Sequence, residues 1–418
     1  VDKFVISGGR PLSGTIEVSG AKNAALPAMA ASLLSSGPVS LSGVPKLRDV
    51  ETMKVLLRTL GVAAEGDGAM TLDASKPSGG DAPYDLVRTM RASILVLGPL
   101  LGRLGKARVS LPGGCAIGTR PIDIHLKGME ALGADVGIRE GYVEASAGRL
   151  KGARIALDFP SVTATENIMM AAALAEGTTV ITNAAREPEI SDLASCLNAI
   201  GGEVAGAGSG TITVEGRKSL KGGTHKLVPD RLEAGSWLLL SAMTGGKLAV
   251  AGARREHLES LEASLGRAGV AVEEKGGNLA VSVTQKLRAA DIVTQPYPGF
   301  PTDMQAQWMA LMCLAEGTTV VRETIFENRF QHVPELIRMG ADISVKGTTA
   351  VVRGTGKLEG AQVMVSDLRA GIALVLAALA AEGKSEIRRI YHLDRGYERL
   401  EHKLSSVGAD IKRVPQDA

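Results

Sequence analysis

"ENIMMAAALAEGTTVITNAAREPEISDLASCLNAIGGEVA" runs from Glu166 to Ala205 and changes periodicity twice. Its opening, "ENIMMAAALAEG", is apolar on every side, which predicts a helix buried all round. "TTVITN" is rich in β-branched residues and predicts a strand. Ile190, Leu193, Leu197 and Ile200 then recur at spacings of three and four, one face of an amphipathic helix. Gly201 follows, where glycine's tolerance of the left-handed conformation closes a helix.

The same ending occurs six times. It reads "LGVAAE", "LGADVG", "IGGEVA", "AGVAVE", "MGADIS" and "VGADIK", with glycines at Gly61, Gly133, Gly201, Gly269, Gly340 and Gly408. Successive separations are 72, 68, 68, 71 and 68 residues, and "EGTTV" recurs at Glu176 and Glu316, 140 apart. A fixed period of this kind marks an internal repeat. Each unit reads as βαβαββ.

A second pattern, Gly-x-x-x-Leu-x-Gly, sits in the closing strands at Gly216–Leu220–Gly222 and Gly354–Leu358–Gly360, with a weaker copy at Ser146–Leu150–Gly152. The sixth unit lacks it, while the start of the chain has it at Gly8–Leu12–Gly14. The N-terminal segment is therefore expected to form a hairpin that completes the last repeat. This divides the chain into residues 22–229, three repeats carrying the loop around Cys115, and residues 1–21 plus 230–418, the other three. The active site is expected in the cleft between two such domains.

Composition supports this division. Hydrophobic residues make up 45% of 418, enough for two cores, and aromatics only 3%, so those cores must be built from Ala, Val, Leu, Ile and Met. A net charge of +2 provides no field for nucleic acid. "ASILVLGPLLG" is too short to span a bilayer and is broken by Gly98 and Pro99. With no signal-peptide pattern and three scattered cysteines, Cys115, Cys196 and Cys313, a cytoplasmic protein is expected, without metal, disulfide framework, nucleic-acid or membrane partner, and monomeric.

The placement of cations is unusual. Lys22, Arg91, Arg231 and Arg369 fall at the starts of first helices, and Arg120, Arg329 and Arg395 at those of second helices. Helix N-termini favour acids, so cations there oppose the fold by ~0.3–1 kcal/mol each. Together with free helix N–H groups they favour a phosphate or carboxylate. Arg48, Arg186 and Arg254 are read as structural. Asp303 and Asp367 also precede helices, where an aspartate commonly serves as a cap. Asn23 reads as a local cap and His125 as a surface residue. Cys196 and Cys313 lie among Leu, Ala and Met and read as core. Cys115 instead lies in "LPGGCAIGTRP", flanked by Gly113, Gly114 and Gly118. That is no core position. Nearby arginines would favour its thiolate, leaving a chemical role open.

Several segments resemble the UDP-N-acetylglucosamine enolpyruvyl transferases (1-carboxyvinyltransferases) over essentially the whole chain. They are "SGAKNAALPAMAASLL", "LPGGCAIGTRPIDIHLKGMEALGA", "YPGFPTDMQAQ", "TIFENRFQHVPEL", "SDLRAGIALV" and "HLDRGYERLEHKL". The resemblance implies an α/β fold, the inside-out α/β barrel, with two similar domains of three βαβαββ repeats. It implies transfer of enolpyruvyl from phosphoenolpyruvate to the 3-hydroxyl of UDP-N-acetylglucosamine, the first committed step of peptidoglycan synthesis, with no cofactor. Cys115 would ride a lid loop, protonate the phosphoenolpyruvate methylene and be the target of fosfomycin; Asp303 would accept the proton of the attacking hydroxyl. Lys22, Asn23, Arg120, Arg369 and Arg395 match the phosphoenolpyruvate site. Asn23, Arg91, Arg120, Pro121, Ile122, Asp123, Ile124, Ser161, Val162, Thr163, Asp303, Ile325 and Arg329 match the sugar-nucleotide site. Thr163 stands where the family usually has glycine, next to the expected diphosphate.

The same fold also serves enolpyruvylshikimate phosphate synthase, whose acceptor is a phosphorylated cyclitol acid. The cysteine loop and "RPIDIH" argue against that reading. A non-catalytic UDP-sugar sensor is disfavoured by Lys22, Cys115, Asp303 and Arg395 occurring together, and a purely structural repeat leaves the cationic helix starts unexplained.

Overall fold

The computed structural model describes residues 2–111, 122–283 and 285–416. Cys115, Arg120 and Pro121 lie outside them. Among the described residues the strands form six four-stranded sheets of one topology. In the third repeat the order is Arg154–Ala156, Thr178–Thr182, Thr211–Glu215, Glu203–Ala205. The first two pair in parallel, with Arg154 opposite Val180; the other pairings are antiparallel. Where the parallel strands belong to one repeat, as here, a helix fills the crossover between them.

The described residues resolve into two compact units, residues 20–111 with 122–228, and residues 2–19 with 229–416. Each encloses its own core. In the second unit the helices Arg231–Thr244, Gln305–Met312 and Leu368–Ala380 pack on one another, with the sheets outside them. This is why those helices are apolar all round. The second helices lie on the surface and are amphipathic. In Pro188–Ala199 the residues Ile190, Leu193 and Leu197 are fully buried, as is Ile200 just beyond it. All six repeat glycines have positive φ, from 84° to 101°. A side chain there would be strained, so the helix-ending signal was a backbone requirement.

The N-terminal segment differs from expectation. Asp2–Ser7 does complete the sixth sheet, pairing antiparallel with Lys384–Arg388 and with Asp410–Pro415. Ser13–Glu17, however, is no hairpin partner. It pairs in parallel with Lys247–Ala251 and leads the fourth repeat's sheet. Gly223–Lys226 likewise leads the first repeat's sheet, in parallel with Val39–Ser42. The Gly-x-x-x-Leu-x-Gly pattern is thus the step from one sheet to the next. A Cβ on Gly8, Gly216 or Gly354 would lie 2.1, 1.8 or 1.7 Å from the carbonyl oxygen of Ala378, Ala175 or Ala315. Ala378 lies in the last turn of a buried helix, and Ala175 and Ala315 lie three residues past the ends of two others; Leu12, Leu220 and Leu358 are buried in the core. Only glycine permits that approach.

Candidate active site

In the first unit, Lys22 opens the helix Lys22–Ala31, whose N-terminus has no side-chain cap. Its ammonium bonds Asp49 Oδ2 at 3.2 Å, in the first turn of Arg48–Thr59. Asn23 follows, half-buried, and its side chain is not the cap of that helix. Arg91 opens the turn Arg91–Val96, against which Lys22–Ala31 packs. Ile122 is buried, Asp123 is exposed at the head of Asp123–Ala131, and Ile124 is half-buried. Ser161 caps Val162–Ala172 by accepting from Ala164 N.

His125 is buried, not on the surface: only 2% of it is exposed. Its Nδ1 lies 3.0 Å from Asn167 Nδ2, and its Nε2 lies 3.1 Å from Thr163 Oγ1. Asn167 Nδ2 also donates to Ile94 O at 2.9 Å, and its Oδ1 accepts from Gly98 N at 2.6 Å. That bonding fixes the amide orientation. His125 Nδ1 therefore accepts, and Nε2–H donates to Thr163. Burial, and then the charge of Arg91, lower His125 to about 3, so the ring is neutral. The chain Thr163–His125–Asn167 ties the start of Val162–Ala172 to the start of Asp123–Ala131 and to the segment after Arg91. Thr163 is thus more than an obstacle to backbone approach, because its hydroxyl satisfies a buried donor. The reading of His125 failed because its burial comes from another repeat.

In the other unit Asp303 is not a cap. It lies in the 3₁₀ turn Thr302–Met304, and no side chain caps that turn or the helix Gln305–Met312 after it. Its carboxylate accepts from Arg329 Nη2 at 2.8 Å on Oδ1 and from Arg369 Nη2 at 3.1 Å on Oδ2. Both arginines are buried, so the pairing carries weight that a surface ion pair would not. Burial opposes the charge of Arg369, but Asp303, Tyr397 and Asp230 together raise it. Asp367, by contrast, does cap its helix, accepting from Arg369 N and Ala370 N.

Arg395 ends the turn Ile390–Arg395, five residues before the helix Leu400–Ser406, and does not start a helix. Its turn is anchored by Tyr397, whose hydroxyl lies 2.9 Å from Ser236 Oγ. Burial raises that phenol to about 12 against the opposing pull of Arg369. Ile325 and Arg329 lie between the strand Thr318–Arg322 and the helix Val333–Arg338. Arg231 opens its helix and stacks over the Tyr297 ring at 5.5 Å. The structure therefore brings together Asp303, Arg329 and Arg369 in one unit, and Arg91, His125 and Thr163 in the other. Tyr397, Ser236 and Asn167 were missed from sequence, where they read as ordinary helix and turn residues.

The first cluster offers a carboxylate held by two guanidiniums, to which a hydroxyl can donate; the second offers the cationic Arg91 beside a neutral imidazole. Among the described residues no group of three His, Cys, Asp or Glu could hold a metal ion, and no helix is long and apolar enough to cross a membrane.

Residues 6–404 match the family model of EPSP synthase (3-phosphoshikimate 1-carboxyvinyltransferase). The chain is 54% identical over 418 residues to the UDP-N-acetylglucosamine 1-carboxyvinyltransferase of Granulibacter bethesdensis, covering 99% of this chain and 100% of that one. Among solved structures, the enolpyruvyl transferase NikO from Streptomyces tendae superposes with a TM-score of 0.89 at 28% identity, over 99% of both chains. An EPSP synthase from Acinetobacter baumannii gives 0.76 at 19% identity, over 99% of this chain and 100% of that one, a likeness of fold alone. With the repeat architecture and the two charged clusters, these matches establish that the chain belongs to the EPSP synthase family, in its UDP-N-acetylglucosamine 1-carboxyvinyltransferase branch.

Proposed function

We infer that the protein transfers the enolpyruvyl group of phosphoenolpyruvate to the 3-hydroxyl of UDP-N-acetylglucosamine and releases phosphate, in peptidoglycan synthesis. The observation that carries this is the 54% identity, end to end, to transferases of that name. The residue roles rest on the sequence pattern together with the clusters just described.

In this reading each residue keeps the part that its sequence pattern implies. Lys22, Arg120, Arg369 and Arg395 bind the phosphate and carboxylate of phosphoenolpyruvate, with Asn23 beside them. Arg91, Asn23, Arg329, Ile325 and the segments 120–124 and 161–163 take the sugar nucleotide. Cys115, outside the described residues, gives a proton to the methylene carbon. The acceptor hydroxyl oxygen bonds the adjacent carbon as its own proton passes to Asp303. Loss of a methyl proton and cleavage of the carbon–oxygen bond to phosphate then restore the double bond. Asp303 suits its part because a carboxylate held by two guanidiniums keeps lone pairs for a hydroxyl while its orientation is fixed. The developing phosphate charge meets preorganised cations. We place this activity in the cytoplasm, in a monomer with two small-molecule substrates and no cofactor.

The test is phosphate release from phosphoenolpyruvate with UDP-N-acetylglucosamine or shikimate 3-phosphate as acceptor. Turnover with the first alone is expected. Turnover with the second alone would replace this reading with the synthase one.

A further inference from the structure

Glu323 follows the strand Thr318–Arg322 and is 1% exposed. Its Oε1 accepts from Thr294 Oγ1 at 2.8 Å, Ile325 N at 2.8 Å and Phe326 N at 3.1 Å. Its Oε2 accepts from Thr302 Oγ1 at 2.9 Å. Three donors thus converge on Oε1 and one on Oε2. A buried carboxylate is unfavourable unless it is bonded in this way. The question is what these bonds hold in place.

They hold two segments in fixed relation. One is the loop that carries Ile325, further secured by Thr324 N and Oγ1, which donate to Thr294 Oγ1 at 2.9 Å and Thr294 O at 2.5 Å. The other is the turn that carries Asp303. Thr302 immediately precedes Asp303, and its hydroxyl receives a longer contact from Arg329 Nη1 at 3.5 Å. Arg329 in turn bonds Asp303 Oδ1 at 2.8 Å. A continuous path therefore runs from the amides of Ile325 and Phe326 through Glu323, Thr302 and Arg329 to the Asp303 carboxylate.

We propose that Glu323 is a positioning residue for the transfer, fixing the register between the Ile325 loop and the Asp303 carboxylate so that a sugar held by the loop presents its hydroxyl to the base. This rests on the assignment of Asp303 and Ile325 above. Glu323 touches neither substrate. It acts through Thr302 on the base and through two main-chain amides on the loop.

The two arms separate by substitution. In Glu323→Gln one oxygen can keep its three donors, while the new amide faces the Thr302 hydroxyl and competes with Arg329 for it. Thr302→Val removes the same link from the other end. Steady-state phosphate release is measured for both, with thermal melting to score folding. Each variant is expected to lose about tenfold in kcat, the factor for roughly one hydrogen bond. The KM for UDP-N-acetylglucosamine should stay within about twofold, because the three hydrogen bonds on the loop side are left unbroken. Thr302→Ser, which returns the hydroxyl, should recover kcat. A purely structural role predicts lower melting with unchanged kcat per folded enzyme, and that result overturns the proposal. Asp303→Asn is run alongside. If it is fully active, the base assignment fails and the proposal falls with it. If it is inactive while Thr302→Val turns over normally, only the positioning role is lost.

Discussion

Replacing Thr163 with valine keeps its shape and removes only the hydroxyl. The lost partner is His125 Nε2–H, on a ring that is 2% exposed. The ring has no cheap escape. Moving its proton to Nδ1 would point it at the Asn167 amide nitrogen 3.0 Å away, itself a donor. Flipping Asn167 to accept it would break the bonds to Ile94 O and Gly98 N. The cost is therefore that of a buried unsatisfied donor, ~1–3 kcal/mol. For a unit of this size each kcal/mol moves the melting temperature by about 2–4 °C, so a mid-range cost of about 2 kcal/mol lowers it by about 4–8 °C. Scanning calorimetry of wild type and Thr163→Val reads this directly. Because the same chain fixes the starts of two helices assigned to the sugar nucleotide, the KM for UDP-N-acetylglucosamine should rise severalfold in the same variant. Thr163→Gly opens space for a water at Nε2, so its loss should be smaller once the ~1 kcal/mol glycine penalty in a helix is subtracted. A valine variant melting within about 1 °C of wild type would mean that the Thr163–His125 bond contributes nothing and that the network reasoning is wrong.

Three further outcomes are expected. Asp303→Asn should lose ~10²–10⁴-fold in phosphate release, whereas Asp367→Ala should cost ~1 kcal/mol of stability through its cap; near-normal turnover by the first would remove Asp303 from the chemistry. Fosfomycin should label Cys115, faster with UDP-N-acetylglucosamine present, and spare Cys196 and Cys313, whose thiols burial pushes up to about 12; peptide mass mapping that finds either of those labelled first would refute this. Burial, then Arg91, lowers His125 to about 3, and burial lowers His332 to about 4, so both are neutral when folded. The unfolded chain binds those protons below about pH 6.5, so stability is complete above that pH and declines as pH falls toward 4, by about 2 kcal/mol per histidine at pH 5. Calorimetry of His125→Gln between pH 7.5 and 5 should show a shallower decline, and an unchanged slope would count against the buried neutral ring.

What the sequence determined by itself is the repeat. Buried helix, strand, amphipathic helix and left-handed glycine are local requirements, and the chain states each of them six times, so their period and the α/β class could be read without coordinates. Lys22, Arg231 and Arg369 at helix starts were legible for the same reason, since a residue's place on its own helix depends on a few neighbours, whereas Arg329 and Arg395 lie in turns ahead of their helices. The destinations of strands were not. Gly8–Leu12–Gly14 shows that a glycine must pass close to something, but only the structure reveals that the something is the carbonyl of Ala378, and hence that Ser13–Glu17 leads a different sheet from Asp2–Ser7. The same limit applies to the site. Asp303 and Asp367 look alike in sequence, each an acid ahead of an apolar helix. One caps, and the other faces two guanidiniums supplied from residues 26 and 66 positions away. His125 read as surface because the groups that bury it, Thr163 and Asn167, lie 38 and 42 residues on. Glu323, one residue past a strand that alternates outward and inward, gave no sign of four donors converging on it. Backbone preferences act within a few residues and are written where they act. Burial, charge pairing and hydrogen bonding of side chains are set by whatever the fold brings near, and that is decided only when the repeats close on one another.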